Sequence, residues 1–333
     1  MFWGGAFGML LGVILVLFSH QPVFSIAGMF VIGFLGTFLM VTIQSSLSDL
    51  HGIHRATAIT EANVVGSLGA GLAPLCLGGL VTLGMSWRSV LFVPIAIVVL
   101  LALFYWKVPV PEAQSYGQPR SVTGPVRLPA AFWLYWLAMV MGVGVEWGIS
   151  FWGSGYLINV VGLERANAAT LMSLFFLAAV IGRLIGSHLT QRFAVERLLL
   201  PTLLVALTGF LLFWLGPLVE LHMVGLFVVG LGICNLFPFT FSASANRIPQ
   251  YADLASARAA LGGGIAIFVA PLILGRIADM LDLKRAYSVI LILFVLVGIF
   301  IVLAAQATRK MDAVASTEPV ELSESSVEFS DSK

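Results

Sequence analysis

The sequence predicts an all-α polytopic membrane protein with about ten transmembrane helices. Apolar residues make up 59% of the 333 residues and charged residues only 10%, whereas soluble proteins average about 45–50% and about 25%. Apolar stretches long enough to cross a bilayer recur along most of the chain. The short word Ala-Pro-Leu-x-Leu-Gly also occurs inside two of these stretches, one in each half.

The predicted spans must be helices, because lipid offers no partner for an unpaired backbone amide. No stretch alternates between polar and apolar residues as the strands of a barrel would. The spans are predicted at residues 2–18, 23–47, 57–83, 89–106, 131–158, 168–189, 198–218, 222–245, 254–278 and 286–305. The first is interpreted as a membrane helix and not as a signal peptide, since no basic segment precedes it.

Two segments are too polar to lie in the membrane. Residues 107–128 contain four prolines and are predicted to form a cytoplasmic linker. The linker separates an N-terminal bundle at 1–106 from a six-helix bundle at 129–308, so that the helices divide four plus six. Residues 309–333 are rich in Ser and Glu and are predicted to be a disordered tail.

The basic residues predict the orientation. If the first span runs outward from the cytoplasm, about twice as many Lys and Arg fall on the cytoplasmic side as on the other, which is the usual bias. We therefore expect both termini to be cytoplasmic and the protein to lie in the plasma membrane.

The repeated word lies at residues 73–78 and 270–275. Each copy places a proline, Pro74 or Pro271, inside a predicted helix, where the missing N–H is expected to produce a kink. Duplicated bundles with interrupted helices are typical of secondary transporters, which bind their substrate between the two repeats.

Residues 189–194, Leu-Thr-Gln-Arg-Phe-Ala, fall between the second and third helices of the later bundle. Here the chain resembles the major facilitator superfamily, which carries a Gly-x-Leu-Ala-Asp-Arg-x-Gly loop at this place. Arg192 keeps the arginine, and Gln191 replaces the acid. The resemblance implies two six-helix halves joined by a long cytoplasmic loop, with the first two helices missing from this chain.

A ten-helix drug/metabolite-type exporter is the rival architecture, built as five helices plus five. Such a repeat would put the two words half the chain apart and the linker after the fifth helix. The two words are further apart than that, and the linker follows the fourth span. The facilitator architecture is therefore preferred.

Glu146 is the best single candidate for a functional residue. It lies near the centre of the span 131–158, where a charge costs at least about 2.5–3.5 kcal/mol even on lenient insertion scales. Gly142, Ser150 and Gly153 share its helix face and form a small, polar stripe suited to a water-filled path. Glu146 is predicted to couple transport to protons or to neutralise a cationic solute; the structural alternative is that it ties helices together.

Other residues at helical spacing are predicted to line a substrate pathway. Asn235 and Phe239 share one face of the span 222–245, although an interhelical hydrogen bond explains Asn235 equally well. Trp147, next to Glu146, is placed to stack on a solute. The complete predicted pathway set is Gln44, Asn63, Trp147, Ser150, Asn235 and Phe239.

Two further charges are assigned by their position along the spans. Glu61 lies close to the cytoplasmic end of the span 57–83 and is predicted to form a gate with Arg55 or Arg192, with a simple interfacial charge as the alternative. Arg183, inside the span 168–189, is predicted either to extend toward the cytoplasm or to pair with an acid.

The sequence offers little for enzymatic or metal chemistry. The five histidines are scattered, and only His51 and His54 lie close together, with no third ligand evident. We expect no catalytic residue, no metal site and no cofactor. A net charge of +1 without a basic run also argues against a nucleic-acid partner.

The combined prediction is a monomeric secondary active transporter embedded in a lipid bilayer. The resemblance implies that it moves a small organic solute by alternating access, driven by a proton gradient. A non-transporting remnant or a receptor-like scaffold is the alternative from another class.

Overall fold

The computed structural model describes residues 2–51, 55–108, 127–248 and 251–317. Within these ranges the regular elements are all helices. Gln44, Glu61 and Asn63 belong to helices whose backbone is described, while their side chains lie outside the described part.

The described N-terminal part contains α1 (Phe2–Phe18), α2 (Pro22–His51), α3 (Arg55–Thr82), a 3₁₀ turn (Trp87–Leu91) and α4 (Phe92–Tyr105). α1 and α2 pack along each other, and Gly12 of α1 lies against Gly28 of α2. Glycines at such a crossing let the two helix backbones approach closely. Lipid provides no hydrophobic driving force for helix association, so the van der Waals contact made at the crossing stabilises the helix pair. Gly84 has a φ of +77° and turns the chain after α3.

The described C-terminal part contains seven helices. They are α5 (Ala130–Asn159), α6 (Arg165–Thr190), α7 (Val195–Leu215), α8 (Val219–Ala245), α9 (Ala252–Met280), the short α10 (Leu283–Ala286) and α11 (Ser288–Thr317). α8 packs between α6 and α7, while α5 contacts α8, α9 and α11. α5 and α8 are therefore the central helices of this bundle.

The number of spans agrees with the prediction. In the described part, eight helices are long and apolar enough to cross a membrane, and two shorter apolar helices lie at Phe2–Phe18 and Leu68–Thr82. The predicted class, an all-α membrane bundle of about ten helices, is confirmed. The largest difference in a boundary is at the last span: α11 continues to Thr317, so the start of the predicted tail is helical. Most of the predicted linker (109–126) and the end of the tail (318–333) lie outside the described residues.

An aromatic cluster fills the core where α5, α7 and α11 meet. Tyr156 and Tyr287 lie 4.6 Å apart between ring centroids, and Phe210 stacks on Tyr287 from α7. The Tyr156 hydroxyl donates a 2.6 Å hydrogen bond to the Trp214 carbonyl. The buried rings supply area, and the hydrogen bond satisfies the one polar tip of Tyr156.

The two parts of the chain meet through α3 and α6. A Cβ placed on Gly78 would lie 2.5 Å from the Thr170 hydroxyl oxygen, and one on Gly71 would lie 3.5 Å from the Phe176 Cβ. Glycine at these two positions, seven residues apart on one face of α3, therefore brings the α3 backbone onto α6.

The outer surface is apolar, as a bilayer requires. The candidate span ending in α4 has none of its residues buried, and Phe104 on α4 is exposed. Such a surface would aggregate in water, whereas in lipid it faces hydrocarbon at no cost.

Because α7 packs closely against α8, adding one methyl group to a glycine at this interface is expected to destabilise the protein, whereas the same addition at an open position is not. A Cβ on Gly209 would collide with the backbone of Val229, whereas one on Gly264 would meet nothing within 4 Å. Gly209→Ala is expected to destabilise the folded protein by about 1–3 kcal/mol through overpacking. Thermal unfolding in detergent measures the effect, with Gly264→Ala as the matched control. Equal midpoints for the two variants would contradict this packing.

Candidate functional site

Glu146 and Arg183 form an ion pair between α5 and α6 of the C-terminal bundle. Arg183 Nη2 lies 3.7 Å from Glu146 Oε1, and the side chains are 38% and 21% exposed, respectively. Glu146 lies near the middle of α5, and Arg183 lies two turns before the end of α6. Each charge therefore has a counter-charge at a depth where a lone one would be costly.

The structure shows which of its two predicted behaviours the Arg183 side chain adopts. A side chain on a helix leans toward the helix N-terminus, so Arg183 leans away from the nearer, C-terminal end of α6. It contacts Glu146 on α5. Of the two predicted behaviours, extension to the interface and pairing with an acid, the structure shows pairing.

The residues next to Glu146 on α5 provide a polar contact and an aromatic surface. Ser150 Oγ donates a 2.7 Å hydrogen bond to the Glu146 backbone carbonyl, which leaves the carboxylate to Arg183. Trp147, the next residue along α5, is 41% exposed. Gly142, one turn before Glu146, lets the Leu236 side chain of α8 approach to 3.5 Å of where a Cβ would lie.

Asn235 fixes α6 against α8 immediately beside Arg183. It is 6% exposed, and its Nδ2 donates a 2.7 Å hydrogen bond to the Gly182 carbonyl. A Cβ on Gly182 would collide with Leu231, and one on Gly186 would collide with Asn235 itself. Asn235 thus makes the interhelical bond that the sequence offered as one of two roles.

Phe239 lies one turn further along α8 and is buried in the core. Its ring packs among apolar side chains of the bundle. In this structure it supports the helices around the pair, and its predicted contact with solute would require movement.

The predicted gate is described only on one side. Arg192 follows the end of α6, where its backbone N–H bonds to the Leu189 carbonyl, and it is exposed. The side chains of Glu61, Gln44 and Asn63 lie outside the described part.

An ion-pair cluster that the sequence analysis did not pick out ties together three helix ends. Arg247, just after α8, lies 3.3 Å from the Glu196 carboxylate at the start of α7 and 3.8 Å from that of Asp312 near the end of α11. The Arg247 side chain is only 17% exposed. The sequence does show that these charged residues lie near the ends of predicted spans. Their spacing along the chain does not show which of them form ion pairs.

Pro74 and Pro271 lie inside α3 and α9, which continue through them. Trp152 Nε1 donates a 2.9 Å hydrogen bond to the Pro271 carbonyl. That bond ties α5 to α9 one and a half turns beyond Glu146. The predicted kinks stay predictions.

Among the described residues, no group of three or more His, Cys, Asp or Glu side chains is arranged to hold a metal ion. The site is thus an intramembrane charge pair with an aromatic neighbour, set in a bundle of long apolar helices. The class of protein is therefore a polytopic membrane protein with an ion pair among its helices.

The chain belongs to the Major Facilitator Superfamily, whose family profile matches residues 1–271. The predicted resemblance is confirmed, and the protein is an integral membrane protein. An uncharacterised MFS-type transporter of Yersinia pestis is 23% identical over 257 residues, covering 77% of this chain and 62% of that relative. A probable nitrate/nitrite antiporter of Thermus thermophilus is 30% identical over 126 residues, which are 37% of this chain and 28% of that relative. The chain thus spans less than two thirds of the length of these relatives.

Solved structures share the fold. The Escherichia coli fucose:proton symporter superposes with a TM-score of 0.62 at 19% identity, covering 90% of this chain and 82% of that one. A bacterial homologue of the human lysosomal transporter Spinster, inward-facing and occupied, gives a TM-score of 0.64 at 16% identity, covering 91% and 82%. At these identities the likeness establishes the arrangement of helices.

Because Asn235 is buried and bonds to a neighbouring helix, removing its amide is expected to destabilise the protein more than removing an exposed amide. Asn235→Ala is expected to lower the free energy of unfolding by about 1 kcal/mol, as interhelical hydrogen bonds in membranes do. Asn159 also donates to a backbone carbonyl, that of Gly155, but within its own helix and exposed. Asn159→Ala is therefore the matched control, and unfolding in detergent measures both. A larger loss at Asn159 than at Asn235 would contradict the packing role.

Proposed function

We propose that this chain is a secondary active transporter, or the greater part of one, that moves a small organic solute by alternating access. Glu146 carries the coupled proton. The observation that supports the proposal is the ion pair of Glu146 with Arg183, which lies inside the membrane bundle. Intramembrane ionisable pairs of this kind mark ion and substrate pathways in membrane proteins.

The pair is suited to proton coupling because its two charge states differ in what they stabilise. With Glu146 ionised, the carboxylate attracts Arg183 and holds α5 and α6 together. With Glu146 protonated, that attraction is lost and Arg183 can take another partner. A proton therefore shifts the balance between two arrangements of these helices by the difference in its affinity for them.

The position of α6 supports alternating access. α6 carries Arg183 and also packs against α3 of the N-terminal part. A change in the ion pair of Glu146 and Arg183 therefore acts on α6, the helix that contacts both parts of the chain. Bundles that rock about a central site are the common mechanism of transporters built from repeats.

The remaining predicted residues take their roles within this proposal. Gln44, Asn63, Trp147 and Ser150 line the solute path, and Phe239 joins them when the bundle opens. Glu61 and Arg192 form the cytoplasmic gate, and kinks at Pro74 and Pro271 let α3 and α9 bend.

The proposed arrangement in the cell follows the sequence predictions. The four-helix part at 1–106, the linker at 107–128 and the six-helix part at 129–308 work as one monomer in the plasma membrane. Both termini, including the tail at 309–333, face the cytoplasm. The fucose:proton symporter that shares the fold is a precedent for proton coupling in this arrangement of helices.

Proton movement in liposomes tests the role of Glu146. The full chain is reconstituted, and internal pH is followed after addition of sugars, organic acids and organic cations. Solute-dependent proton flux is expected in the wild type and is expected to fall by at least about ten-fold in Glu146→Gln, because the amide takes up no proton.

Glu164→Gln is the matched control, since Glu164 immediately precedes the first residue of α6 and should carry normal flux. Equal flux in Glu146→Gln and the wild type would remove Glu146 from the mechanism. Absence of flux with every solute would favour a non-transporting membrane protein.

A further inference from the structure

We propose that Trp136 and Trp152 clamp α9 to α5 from opposite sides, so that α9 moves together with the helix that bears Glu146. Trp136 Nε1 donates a 2.8 Å hydrogen bond to the Arg258 carbonyl of α9. Trp152 Nε1 donates a 2.9 Å hydrogen bond to the Pro271 carbonyl of the same helix. These two bonds, called the clamp below, belong to the fold, and only their part in transport rests on the proposed function.

The two bonds share one local arrangement, in which a glycine lies four residues after the acceptor. Inside a helix each carbonyl already accepts the N–H of that fourth residue, and its second lone pair can take another donor. A side chain on the fourth residue would cover this lone pair, because helical side chains lie over the turn that precedes them. The residues are Gly262 and Gly275.

Both glycines are filled by the indole rings. A Cβ on Gly262 would lie 2.7 Å from Trp136 Cζ2. A Cβ on Gly275 would lie 2.6 Å from Trp152 Cζ2. Any larger residue at either position would push the ring away, so the two glycines give the two indoles their access to the backbone of α9.

The clamp holds α9 on both sides of its contact with α5. At about 100° per residue, the two tryptophans lie about 160° apart around α5 and the two acceptors about 140° apart around α9. Gly144 lies midway, about 80° from each tryptophan. A Cβ there would lie 3.3 Å from the Ala270 Cβ of α9. The helices therefore touch between the two bonds, and rotation of α9 in either direction would stretch one of them.

The remaining packing of α9 agrees with joint movement. Among the described helices, α9 contacts α5 along much of its length and contacts α8 and α10 much less. α6, in contrast, is bonded to α8 through Asn235 and the Gly182 carbonyl. A displacement of α5 relative to α6, at the ion pair of Glu146 with Arg183, therefore carries α9 with it.

The clamp also constrains the bend proposed at Pro271. A proline has no N–H to give to the carbonyl four residues before it, here that of Ile267. This weak point of α9 lies between the two acceptor carbonyls. Because α5 is bonded to α9 on both sides of the weak point, a bend in α9 has to be shared by α5.

Hydrogen exchange of the purified full chain in detergent, followed by mass spectrometry, tests the clamp. Trp136→Phe and Trp152→Phe keep an aromatic ring and lose the donor. Each is expected to speed exchange of the backbone amides at 259–274 by about three-fold or more, as loss of an interhelical hydrogen bond does. Trp214→Phe is the matched control and should leave 259–274 unchanged, because the Trp214 indole bonds to the Lys284 carbonyl of α10.

A pair of glycine variants tests the access of the indole separately. Gly262→Ala is expected to displace the Trp136 ring and to speed the same exchange. Gly263→Ala should not, because a Cβ there would meet nothing within 4 Å. Alanine favours a helix over glycine at both positions, so helix propensity cannot account for a difference between the two variants.

A disulfide between α5 and α9 tests their joint movement. Gly144→Cys and Ala270→Cys are combined with Cys76→Ala and Cys234→Ala, since Cβ atoms of a disulfide lie about 3.5–4.5 Å apart. Solute-dependent proton flux in liposomes is expected to be the same in the oxidised and reduced forms. A bond between two helices that move as one body restrains no motion.

The outcomes separate this inference from the proposed function. Unchanged exchange at 259–274 in both tryptophan variants, or an equal increase in Trp214→Phe, overturns the clamp. Flux that is lost in the disulfide form and restored by reduction overturns the joint movement. If the wild type shows no flux with any solute, the proposed function fails, and the exchange measurements still decide for or against the clamp.

Discussion

Close approach of helix backbones is the constraint on which this structure depends. In lipid, apolar side chains gain little by leaving hydrocarbon for a protein interior, so helices associate through van der Waals contact and interhelical hydrogen bonds. Glycines provide that contact at the main crossings: Gly209 lies against Val229 between α7 and α8, and Gly182 lies against Leu231 between α6 and α8. These crossings therefore help to determine which of the long apolar helices pack against each other.

The charged pair depends on the same contacts. Arg183 follows Gly182 directly, and the carbonyl of Gly182 accepts the hydrogen bond from Asn235. The helix that bears the arginine is therefore placed by packing, and the ion pair with Glu146 forms because α5 also contacts α8. Packing of three helices thus brings together two charges that the membrane would otherwise exclude.

α6 connects this pair to the rest of the molecule. It contacts α8 on one side and α3 of the N-terminal part on another, and small residues mark both interfaces. α6 thus carries a half-buried charge, Arg183, between these two interfaces.

The sequence by itself determined the class of the protein, the approximate spans and the candidacy of Glu146. Each follows from a local property: hydropathy over about 20 residues specifies a span, and the cost of one charge in lipid singles out an acid. Only the tertiary structure decided that Arg183 turns to Glu146, that Asn235 bonds to Gly182, and that Arg247 joins Glu196 and Asp312. The physical reason is that a helix apolar on all sides carries no pattern that fixes its rotation. Its polar partners are chosen by backbone contacts with helices far away in the sequence.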